Sequence, residues 1–547
     1  MRRRGARREY WMILGLVVLG AIPRQSAGQV FLPDDPLTED PDRLDMPPPR
    51  PWSIGDYYDF WINTFGTPAE YEGPALNVNT LGEVPNSSWY TNRHYHRRLA
   101  FGELRAGPGS GRGPSEKGPW KVVSGKTEGK TAGLEIVDAI GERYLLKFDP
   151  PEFIEPASGA EAVATRLLHA LGYNVPENNA ITFERERLVA ATKEDLAAIG
   201  EEDADDRITE ELVDELLTQA ARYPDGRLRA LASKFIEGKP LGPFLYYGTR
   251  PDDANDVFPH ESRRELRGLR LIAAWINHTD TRAPNTLDVL VEENGRRFVR
   301  HHLIDFGSTF GAGSVGLRPR WDSFEYAIQF GSILKRALSL GIAGLHWAAI
   351  EYDNPPAVGR LDIRHFDPEK WRPQYPNAAF RRMDAADAFW AARQIMHFTE
   401  KELRAVIEAG HYSDPAAADR LLELLMGRRE RIGRRYLDFA GGLDRFAVVD
   451  GLLTFVDLPV KHGFASADRP KTASWYAFEN HTGVRTMLGA PTPLVGTEVR
   501  IPESDSDYLA LDIAVKQRGV TTVYIRRVRS TWEVVGVERA AAVNVRD

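Results

Sequence analysis

The sequence predicts an α+β fold in which a β-rich region precedes a mainly helical region and a second β-rich region ends the chain. Three observations support this order. Short β-type stretches flank one amphipathic stretch between residues 119 and 237, long amphipathic stretches dominate residues 240–440, and short β-type runs fill residues 445–547. With 547 residues, 42% of them hydrophobic, the chain can form two or three domains.

The first 28 residues predict a secretory signal peptide. Five arginines among the first eight residues precede an apolar run from Trp11 to Ile22, and the small residues Ser26 and Gly28 follow at the spacing of a cleavage site. A run of about twelve residues is short for a bilayer span. We therefore expect an exported protein, periplasmic, cell-surface or secreted, that meets the membrane only during export.

Composition excludes several function classes. The chain has no cysteine, so it can form no disulfide and can use no thiolate for zinc binding or nucleophilic catalysis. The formal net charge is −8, and removal of residues 1–28 would take away six arginines but only one glutamate. Because an acidic chain is a poor candidate for sequence-independent nucleic-acid binding, no nucleic-acid partner is expected.

Residues 29–118 predict an irregular N-terminal extension. Proline clusters dominate as far as Pro51, and a stretch rich in Gly, Pro, Ser and Arg closes the segment at residues 107–119. Between these stretches lie five aromatic residues: Tyr57, Tyr58, Phe60, Trp61 and Phe65. Because these are too many for a free tail, we expect the extension to pack on the main domain.

The region from residue 119 to residue 237 predicts strands around a single helix. The helix is expected at residues 159–171, where Gly172 ends an apolar periodicity of helical type. Residues 191–222 are acidic and helical in pattern, which indicates an insertion. Strands are predicted at residues 121–124, 134–139, 144–148, 181–183 and 232–237.

Beyond a Gly-Lys-Pro-Leu-Gly-Pro break, helices are expected at residues 261–276, 384–410 and 415–437. The second should be interrupted at Thr399, where Thr-Glu-Lys-Glu forms a capping box. After Gly441-Gly442, the runs at residues 448–460, 475–478, 497–501, 509–515, 523–528 and 532–537 suggest a small β-sandwich or barrel. Because Gly-Gly after a helix is both a stop and a hinge, we expect this domain to be separable near residue 441.

Two segments carry the candidate chemistry. His-Thr-Asp-Thr-Arg-Ala-Pro-Asn occupies residues 278–285, and Leu-Ile-Asp-Phe-Gly occupies residues 303–307. Asp280 could orient a nucleophile, and Asn285 with Asp305 could hold a metal bound to nucleotide phosphates. The two segments therefore supply charged and polar groups that ATP-dependent phosphoryl transfer requires.

A loop that delivers Asp and Asn, followed by a strand ending in Asp-Phe-Gly, resembles the catalytic core of protein kinases. Ser-Lys-Phe-Ile-Glu-Gly-Lys-Pro-Leu-Gly-Pro-Phe at residues 233–244 and Arg-Arg-Glu-Arg-Ile-Gly-Arg-Arg-Tyr-Leu at residues 428–437 are similar to the atypical kinase-like families that include HipA and CotH. The resemblance covers roughly residues 120–440. It implies a two-lobed fold, with a small lobe at about residues 119–237 and a large lobe at about residues 240–440, and it implies ATP with Mg²⁺ or Mn²⁺ as cofactors.

The resemblance also implies roles for residues of the small lobe. Lys147 stands where kinases keep the lysine that contacts the α- and β-phosphates, and Glu161 is the acid that would hold it, with Glu155 as a weaker candidate. Ile236 and Glu237 would offer hinge backbone to adenine. Considered alone, Lys147 could equally be a solvent-facing strand residue and Glu161 a favourable charge at a helix N-terminus.

Arg282 lies where many kinases carry a lysine that steadies the transferring phosphate, and Thr279 stands where they carry an arginine. The loss of that arginine implies that no phosphorylated activation loop docks there. Gly125, Gly129 and Gly133 would form the phosphate-facing turn between the first two strands. The same stretch imitates a Walker A loop, but Ser124 replaces its first glycine and the following residues alternate like a hairpin where a helix is required.

The leading interpretation is an exported, atypical kinase-like phosphotransferase with an accessory β-domain and an unknown protein or surface acceptor. Two alternatives stay open: a catalytically inactive binding protein on the same fold, and an enzyme that transfers AMP from ATP. His94 with His96, and His301 with His302, have no partner spacing that resembles a zinc site.

Overall fold

The computed structural model describes residues 29–125, 133–200, 208–313, 315–329 and 346–542. The fold is mixed α+β, as the sequence predicts. The predicted signal peptide and Gly129 lie outside the described residues. Within these ranges, no helix combines the length and the apolar character that crossing a bilayer requires.

The N-terminal extension packs on the rest of the chain, as predicted, but of the five aromatic residues expected to do so Phe60 packs against Tyr375 and most of the others are exposed. Trp89 and Tyr90 are buried in the main helical core, whereas Tyr57, Tyr58 and Trp61 are 84%, 61% and 57% exposed. The exposed aromatic residues lie on a short helix whose inward contacts are made by Asp59 and Phe60. The helices of the extension are α1 (Asp56–Trp61), which continues into a π-turn at Ile62–Gly66, and α2 (Phe101–Ala106).

A six-stranded sheet follows the extension, in the order β4-β6-β3-β2-β1-β5. Its strands are β1 (Trp120–Gly125), β2 (Gly133–Val137), β3 (Arg143–Phe148), β4 (Asn178–Phe183), β5 (Leu188–Ala190) and β6 (Leu228–Lys234). Its helices are α3 (Pro156–Ala170), α4 (Lys193–Ala198) and α5 (Glu210–Leu217). In the described part of the predicted acidic insertion, residues 191–222, lie the two short helices α4 and α5, and the edge strand β5 ends just before it.

The two faces of this sheet carry different helices, and this arrangement orients Lys147. Tyr144, Leu146 and Phe148 of β3 are buried in a core that includes Val213 of α5. On the opposite face, Ala162 of α3 packs against Ala180 and Leu231. Because successive side chains of a strand point to opposite faces, Lys147 lies on the α3 side.

The helical region contains a small sheet, of which the sequence analysis predicted only the strand that leads into Asp-Phe-Gly. Strands β7 (Lys239–Gly242), β8 (Thr286–Glu293) and β9 (Arg296–Leu303) form a three-stranded sheet. The helices are α6 (Arg264–Ile276), α7 (Ala378–Arg381), α8 (Ala385–His397), α9 (Glu400–Ile407) and α10 (Pro415–Tyr436), and a small ladder joins β10 (Ala312–Gly313) to β11 (Gly316–Leu317). The predicted interruption at Thr399 is confirmed, because its side chain accepts the backbone N–H of Glu402 and forms a capping box.

Two antiparallel sheets form the C-terminal region and share one core, which matches the sandwich prediction. The first has the order β12-β13-β17, and the second has the order β15-β14-β18-β19-β20 with β16 also paired to β14. The elements are β12 (Leu443–Val449), β13 (Leu452–Asp457), α11 (Leu458–Lys461), β14 (Lys471–Phe478), β15 (Arg485–Met487), β16 (Thr492–Leu494), β17 (Glu498–Arg500), β18 (Tyr508–Val515), β19 (Gly519–Val528) and β20 (Thr531–Ala541).

Buried charges join the C-terminal sheets to the helical region. Arg393 of α8 donates to the Asp444 carboxylate of β12 at 2.8 Å, and the two side chains are only 3% and 5% exposed. The Tyr95 hydroxyl of the extension also donates to Asp444. These contacts argue against the clean separation that the Gly441-Gly442 pair suggests.

We expect a chain that ends at Phe439 to be strongly destabilised, because Arg393 would lose its buried partner Asp444. Removing one member of a buried ion pair typically costs about 3 to 5 kcal/mol. Thermal unfolding of the shortened chain, compared with the full chain, measures this cost. Equal unfolding temperatures would show that the C-terminal sheets are an independent module after all.

Candidate active site

Three charged side chains from separate parts of the chain meet at one point. The Lys147 Nζ atom lies 2.8 Å from Oε1 of Glu161 and 3.3 Å from Oδ1 of Asp305. The Glu161 side chain is only 4% exposed, whereas that of Asp305 is 50% exposed. Lys147 therefore links a buried acid on one side to an accessible acid on the other. The sequence reasoning named all three residues.

Backbone donors at the start of α3 fix the position of Glu161. The buried Asp149 carboxylate, two residues after Lys147, accepts the N–H groups of Ala157 and Ser158 at 3.1 and 2.9 Å. Asp149 thus satisfies N–H groups that a helix N-terminus leaves without intrahelical partners. Strand β3 and helix α3 are consequently tied together at the point where the Lys147–Glu161 pair forms.

A buried arginine fastens the same helix to the helical region. Arg229 of β6 donates to the Ser158 hydroxyl at 2.9 Å and to the carbonyl oxygens of Gly410 and His411 at 2.6 and 3.0 Å. Its side chain is fully buried. Glu161 is therefore held toward Lys147 by fixed contacts within the chain.

The charge balance favours a protonated Lys147. Burial alone would lower the pKa of Lys147, but the carboxylates of Asp305 and Glu161 outweigh burial and hold this pKa above its ordinary value. The ammonium group is thus kept as a cation. This is the form that can attract phosphate oxygens.

The loop after α6 presents Asp280. Helix α6 ends at Ile276, and Asn277 adopts a left-handed conformation with φ 54° that turns the chain. The Asp280 side chain is 13% exposed, and its Oδ1 lies 2.8 Å from the Arg282 Nε atom. The Asn285 side-chain amide donates to the Asp280 carbonyl at 2.8 Å, which closes the loop on itself.

Asn285 and Asp305 come together because they flank a hairpin. Thr286, which opens β8, pairs with Leu303 at the end of β9, and the N–H of Ile304 donates to the Asn285 carbonyl at 3.0 Å. Asp305 itself has a left-handed backbone with φ 62°, an uncommon conformation for aspartate that is enriched at functional sites. The hairpin explains the twenty-residue spacing between the two motifs.

The donor chemistry at this point fits a hard divalent cation. Carboxylate and amide oxygens are the ligands that Mg²⁺ and Mn²⁺ prefer. The Asn285 amide nitrogen is engaged by the Asp280 carbonyl, so its Oδ1 atom is the group suited to a cation. Asn285 and Asp305 stay the predicted ligands of such an ion, and their oxygen atoms have the chemistry that it requires.

Asp280 has the environment of a general base. Burial raises its pKa above the ordinary value of 3.8, and the guanidinium groups of Arg282 and Arg318 oppose that rise. A raised carboxyl pKa brings a base closer to the operating pH. The Arg282 Nε atom is close to the Asp280 carboxylate but is not aligned to donate a hydrogen bond to it.

The structure adds residues around Asp280 that sequence reasoning missed. The Thr279 hydroxyl donates to Asp322 at 2.6 Å, and Arg318 Nε donates to the same carboxylate at 2.9 Å. Thr279 therefore takes part in an internal network at the position where the kinase motif has arginine. No sequence pattern marks Arg318 or Asp322, since they lie beyond Asp305 in irregular backbone.

The structure places the predicted phosphate-facing glycines and the predicted hinge residues in different surroundings. Gly125 ends β1, and a Cβ atom there would lie 2.8 Å from Leu216, so packing explains this glycine. Gly133 pairs directly with Lys147, which places that end of β2 beside the charged triad. Ile236 is half-buried and packs near the β8–β9 hairpin, whereas Glu237 is exposed. They occupy the short connection between β6 and β7.

In each histidine pair, one histidine makes contacts that stabilise the fold. His301 stacks on Trp89 with ring centroids 3.5 Å apart, and its Nδ1 atom lies 2.7 Å from Asp288. His94 accepts the N–H of Leu99. Among the described residues, no group of three or more His, Cys, Asp and Glu side chains is arranged to hold a metal ion.

Comparison with protein-family models and with curated protein sequences gives no match. Solved structures give weak similarities. The proinflammatory kinase CtkA of Helicobacter pylori matches with 13% identity and a TM-score of 0.29, over 57% of this chain and 94% of that chain. A Golgi casein kinase matches with 10% identity and a TM-score of 0.26, over 59% of this chain and 75% of the other. Its form with Mn and ADP bound also gives 10% and 0.26, over 58% and 74%. At TM-scores this low, the similarities carry no argument, and the interpretation below rests on the site.

Proposed function

We propose that the protein is an atypical kinase-like phosphotransferase that uses ATP and a divalent cation, Mg²⁺ or Mn²⁺. The observation that carries this proposal is the Lys147–Glu161–Asp305 triad, with distances of 2.8 and 3.3 Å. In protein kinases, the strand-β3 lysine, the acid of the following helix and the Asp of Asp-Phe-Gly have these roles. The triad joins three distant segments in that same order along the chain.

Each residue of the site has a proposed task. Lys147, held by Glu161, binds the α- and β-phosphates, while Asn285 and Asp305 hold the cation. The cation, when bound, would neutralise charge on the phosphates. Asp280 accepts the proton of the acceptor hydroxyl, and Arg282 steadies the transferring phosphoryl group. Ile236 and Glu237 face adenine with hinge backbone, and the turn from Gly125 through Gly129 to Gly133 approaches the phosphates. These last two assignments rest on the kinase resemblance.

The proposed fold is the two-lobed kinase type. The six-stranded sheet with α3 would form the small lobe, at about residues 119–237, and residues 240–440 would form the large lobe. Arg229 and the Asp149 cap hold α3 in place without an added phosphate. Together with Thr279 in the arginine position, these contacts support an enzyme that is not switched by phosphorylation of an activation loop.

The protein is further proposed to act outside the cytoplasm. Support comes from the arginine-rich start, the apolar run and the absence of cysteine. The acceptor would then be a protein or a cell-surface component. Nucleotidyl transfer from ATP needs nearly the same residues, and an inactive binding protein on the same fold remains the third reading, so the experiment must separate all three.

Label transfer from ATP provides that experiment. The full chain is incubated with Mn²⁺ and exported proteins of its source, and with ATP labelled at either the γ- or the α-phosphate. We expect the γ-label to appear on an acceptor or on the chain itself, because the site is proposed to transfer the terminal phosphoryl group. Transfer of the α-label would instead assign nucleotidyl transfer.

The control for this experiment is Lys147→Ala, which removes the proposed phosphate anchor but leaves Asp280 in place. It should transfer little of either label. If the wild-type chain binds ATP yet transfers neither label, the binding-protein reading replaces the enzyme.

A further inference from the structure

The α1 segment, defined as residues 56–66, touches the loop that carries Asp280 and Asn285. Its Asp59 side chain is 2% exposed, and the Oδ2 atom accepts the N–H of Ala283 at 3.2 Å and the Tyr375 hydroxyl at 2.5 Å. Oδ1 accepts the Asn63 side-chain amide at 2.9 Å. A carboxylate from the N-terminal extension thus contacts the backbone of the catalytic loop directly.

The hydrogen bond from the Ala283 N–H to Asp59 caps a short turn of the loop. Ala283, Pro284 and Asn285 form a single 3₁₀ turn, and Asn285 closes it by donating to the Arg282 carbonyl at 3.0 Å. The first N–H groups of such a turn have no partner inside it, and proline has no N–H to offer. Asp59 therefore caps the turn in the way an N-cap residue would, but from a part of the chain more than two hundred residues away.

A second carboxylate of the α1 segment contacts Arg282. Asp56 Oδ2 lies 3.1 Å from one Arg282 nitrogen, while Asp280 Oδ1 lies 2.8 Å from another. The guanidinium group is therefore shared between an acid of the extension and the proposed base. Without Asp56, Arg282 would lose one of its two carboxylate contacts and keep the one with Asp280, the group that must accept a proton.

Apolar burial does not explain why the α1 segment lies here. Tyr57, Tyr58 and Trp61 are 84%, 61% and 57% exposed, and a helix of six residues is not stable alone. Burying a carboxylate is costly unless donors compensate for lost water. Phe60 does pack edge-on against Tyr375, with ring centroids 5.4 Å apart. The donors that compensate Asp59 include the catalytic loop itself, so polar contacts to the active site also hold this helix in place.

We propose that Asp59 is a positioning residue for the catalytic loop and that Asp56 positions Arg282, which makes the α1 segment part of the active unit. The proposal rests on the proposed function for its effect on rate. The loop contact itself is testable without activity. The extension would then have a role in catalysis that its irregular sequence does not suggest.

The test compares Asp59→Ala with Asp42→Ala in the full chain. Asp42 is a matched control, because it is also a buried carboxylate of the extension, 5% exposed, but it accepts the Ser88 N–H and hydroxyl, at 2.9 and 2.7 Å, where Asp59 accepts a donor of the catalytic loop. Asp59→Ala should lower kcat by about tenfold to a hundredfold, the scale for small misplacement of a catalytic group. The affinity for ATP should stay within a factor of two, roughly, because Lys147 and Asp305 are untouched.

Hydrogen exchange of residues 279–286 is the readout that does not require activity. Asp59→Ala should speed exchange in this loop, and Asp59→Asn, which keeps an oxygen to face Ala283, should restore most protection and rate. Asp42→Ala should leave the loop at wild-type exchange. Equal loop exchange and equal kcat in the Asp59→Ala and Asp42→Ala variants would overturn the proposal, since both would then act only through stability.

If Asp59→Ala does not fold, Asp56→Asn still tests whether the α1 segment acts on the active site. Asp56 is 58% exposed, so its replacement should not unfold the chain. A decrease in kcat of about two- to fivefold, the size of an exposed ion pair, is expected without a change in thermal stability. An unchanged kcat would overturn the role of Asp56. Should the wild-type chain bind no ATP, the proposed function fails, while loop exchange in the Asp59 variants still tests the positioning contact.

Discussion

Replacing Asp280 by asparagine is expected to reduce phosphoryl transfer by two or more powers of ten, roughly the usual contribution of a positioned base. The amide has nearly the same size but cannot accept the proton of the acceptor. The loop should stay in place, because the Asn285 side-chain amide donates to the Asp280 backbone carbonyl at 2.8 Å, a contact that the substitution leaves intact. The affinity for ATP should therefore be nearly unchanged.

The pH dependence of the rate gives a second check on Asp280. A base works only when deprotonated, so the wild-type rate should fall as pH drops through the pKa of Asp280. This limb should lie above the ordinary value of 3.8, since burial raises the pKa despite Arg282 and Arg318, and the charge of Asp305 adds to the rise. The limb should be absent in Asp280→Asn. Wild-type turnover in this variant would show that the assignment of residues 278–285 is wrong.

The Asp305→Asn variant is expected to lose binding of the metal–nucleotide complex itself. It removes a negative charge proposed to face the cation, and even partners outside the ligand shell change metal affinity by about 10- to 100-fold. Lys147 should remain in place, because its shorter contact, 2.8 Å, is to Glu161. Calorimetric titration with ATP and Mn²⁺ measures the loss.

Asp367→Asn is the matched control for Asp305→Asn. Asp367 is also a partly exposed carboxylate paired with a lysine, with Lys370 Nζ at 3.1 Å, but it lies outside the site. It should bind ATP like the wild type. If both variants bind equally well, Asp305 is no ligand, and the match to Asp-Phe-Gly is coincidental.

The residues of the charged triad were predictable because each lies in a short sequence motif that can be recognised without knowledge of the fold. Lys147, Glu161 and Asp305 were named from three separate segments. The structure places a carboxylate oxygen of Glu161 and one of Asp305 within 3.3 Å of the Lys147 Nζ atom. The capping box at Thr399 likewise predicted the start of a helix. Such features depend on local sequence, so one sequence contains enough information to find them.

Contacts between distant segments were not predictable in the same way. The Asp59 bond to Ala283 and the Arg393 bond to Asp444 join residues 224 and 51 positions apart. Asp59, Arg393 and Asp444 belong to no motif of the sequence analysis. The aromatic residues near Trp61 suggested burial, but tertiary contacts left Tyr57, Tyr58 and Trp61 exposed and buried Asp59. The close packing of Gly125 against Leu216 was not predictable either, because it joins β1 to a helix about ninety residues away.

Thermal unfolding of the wild-type chain with ATP and either Mn²⁺ or Mg²⁺ tests most directly whether the Lys147–Glu161–Asp305 site binds nucleotide. A ligand selective for the native state stabilises it, by about 2.7 kcal/mol at a hundredfold excess over Kd. The account predicts a clear rise in unfolding temperature that needs the cation and is lost in Lys147→Ala and Asp305→Asn. No rise at millimolar ATP with either cation would contradict it.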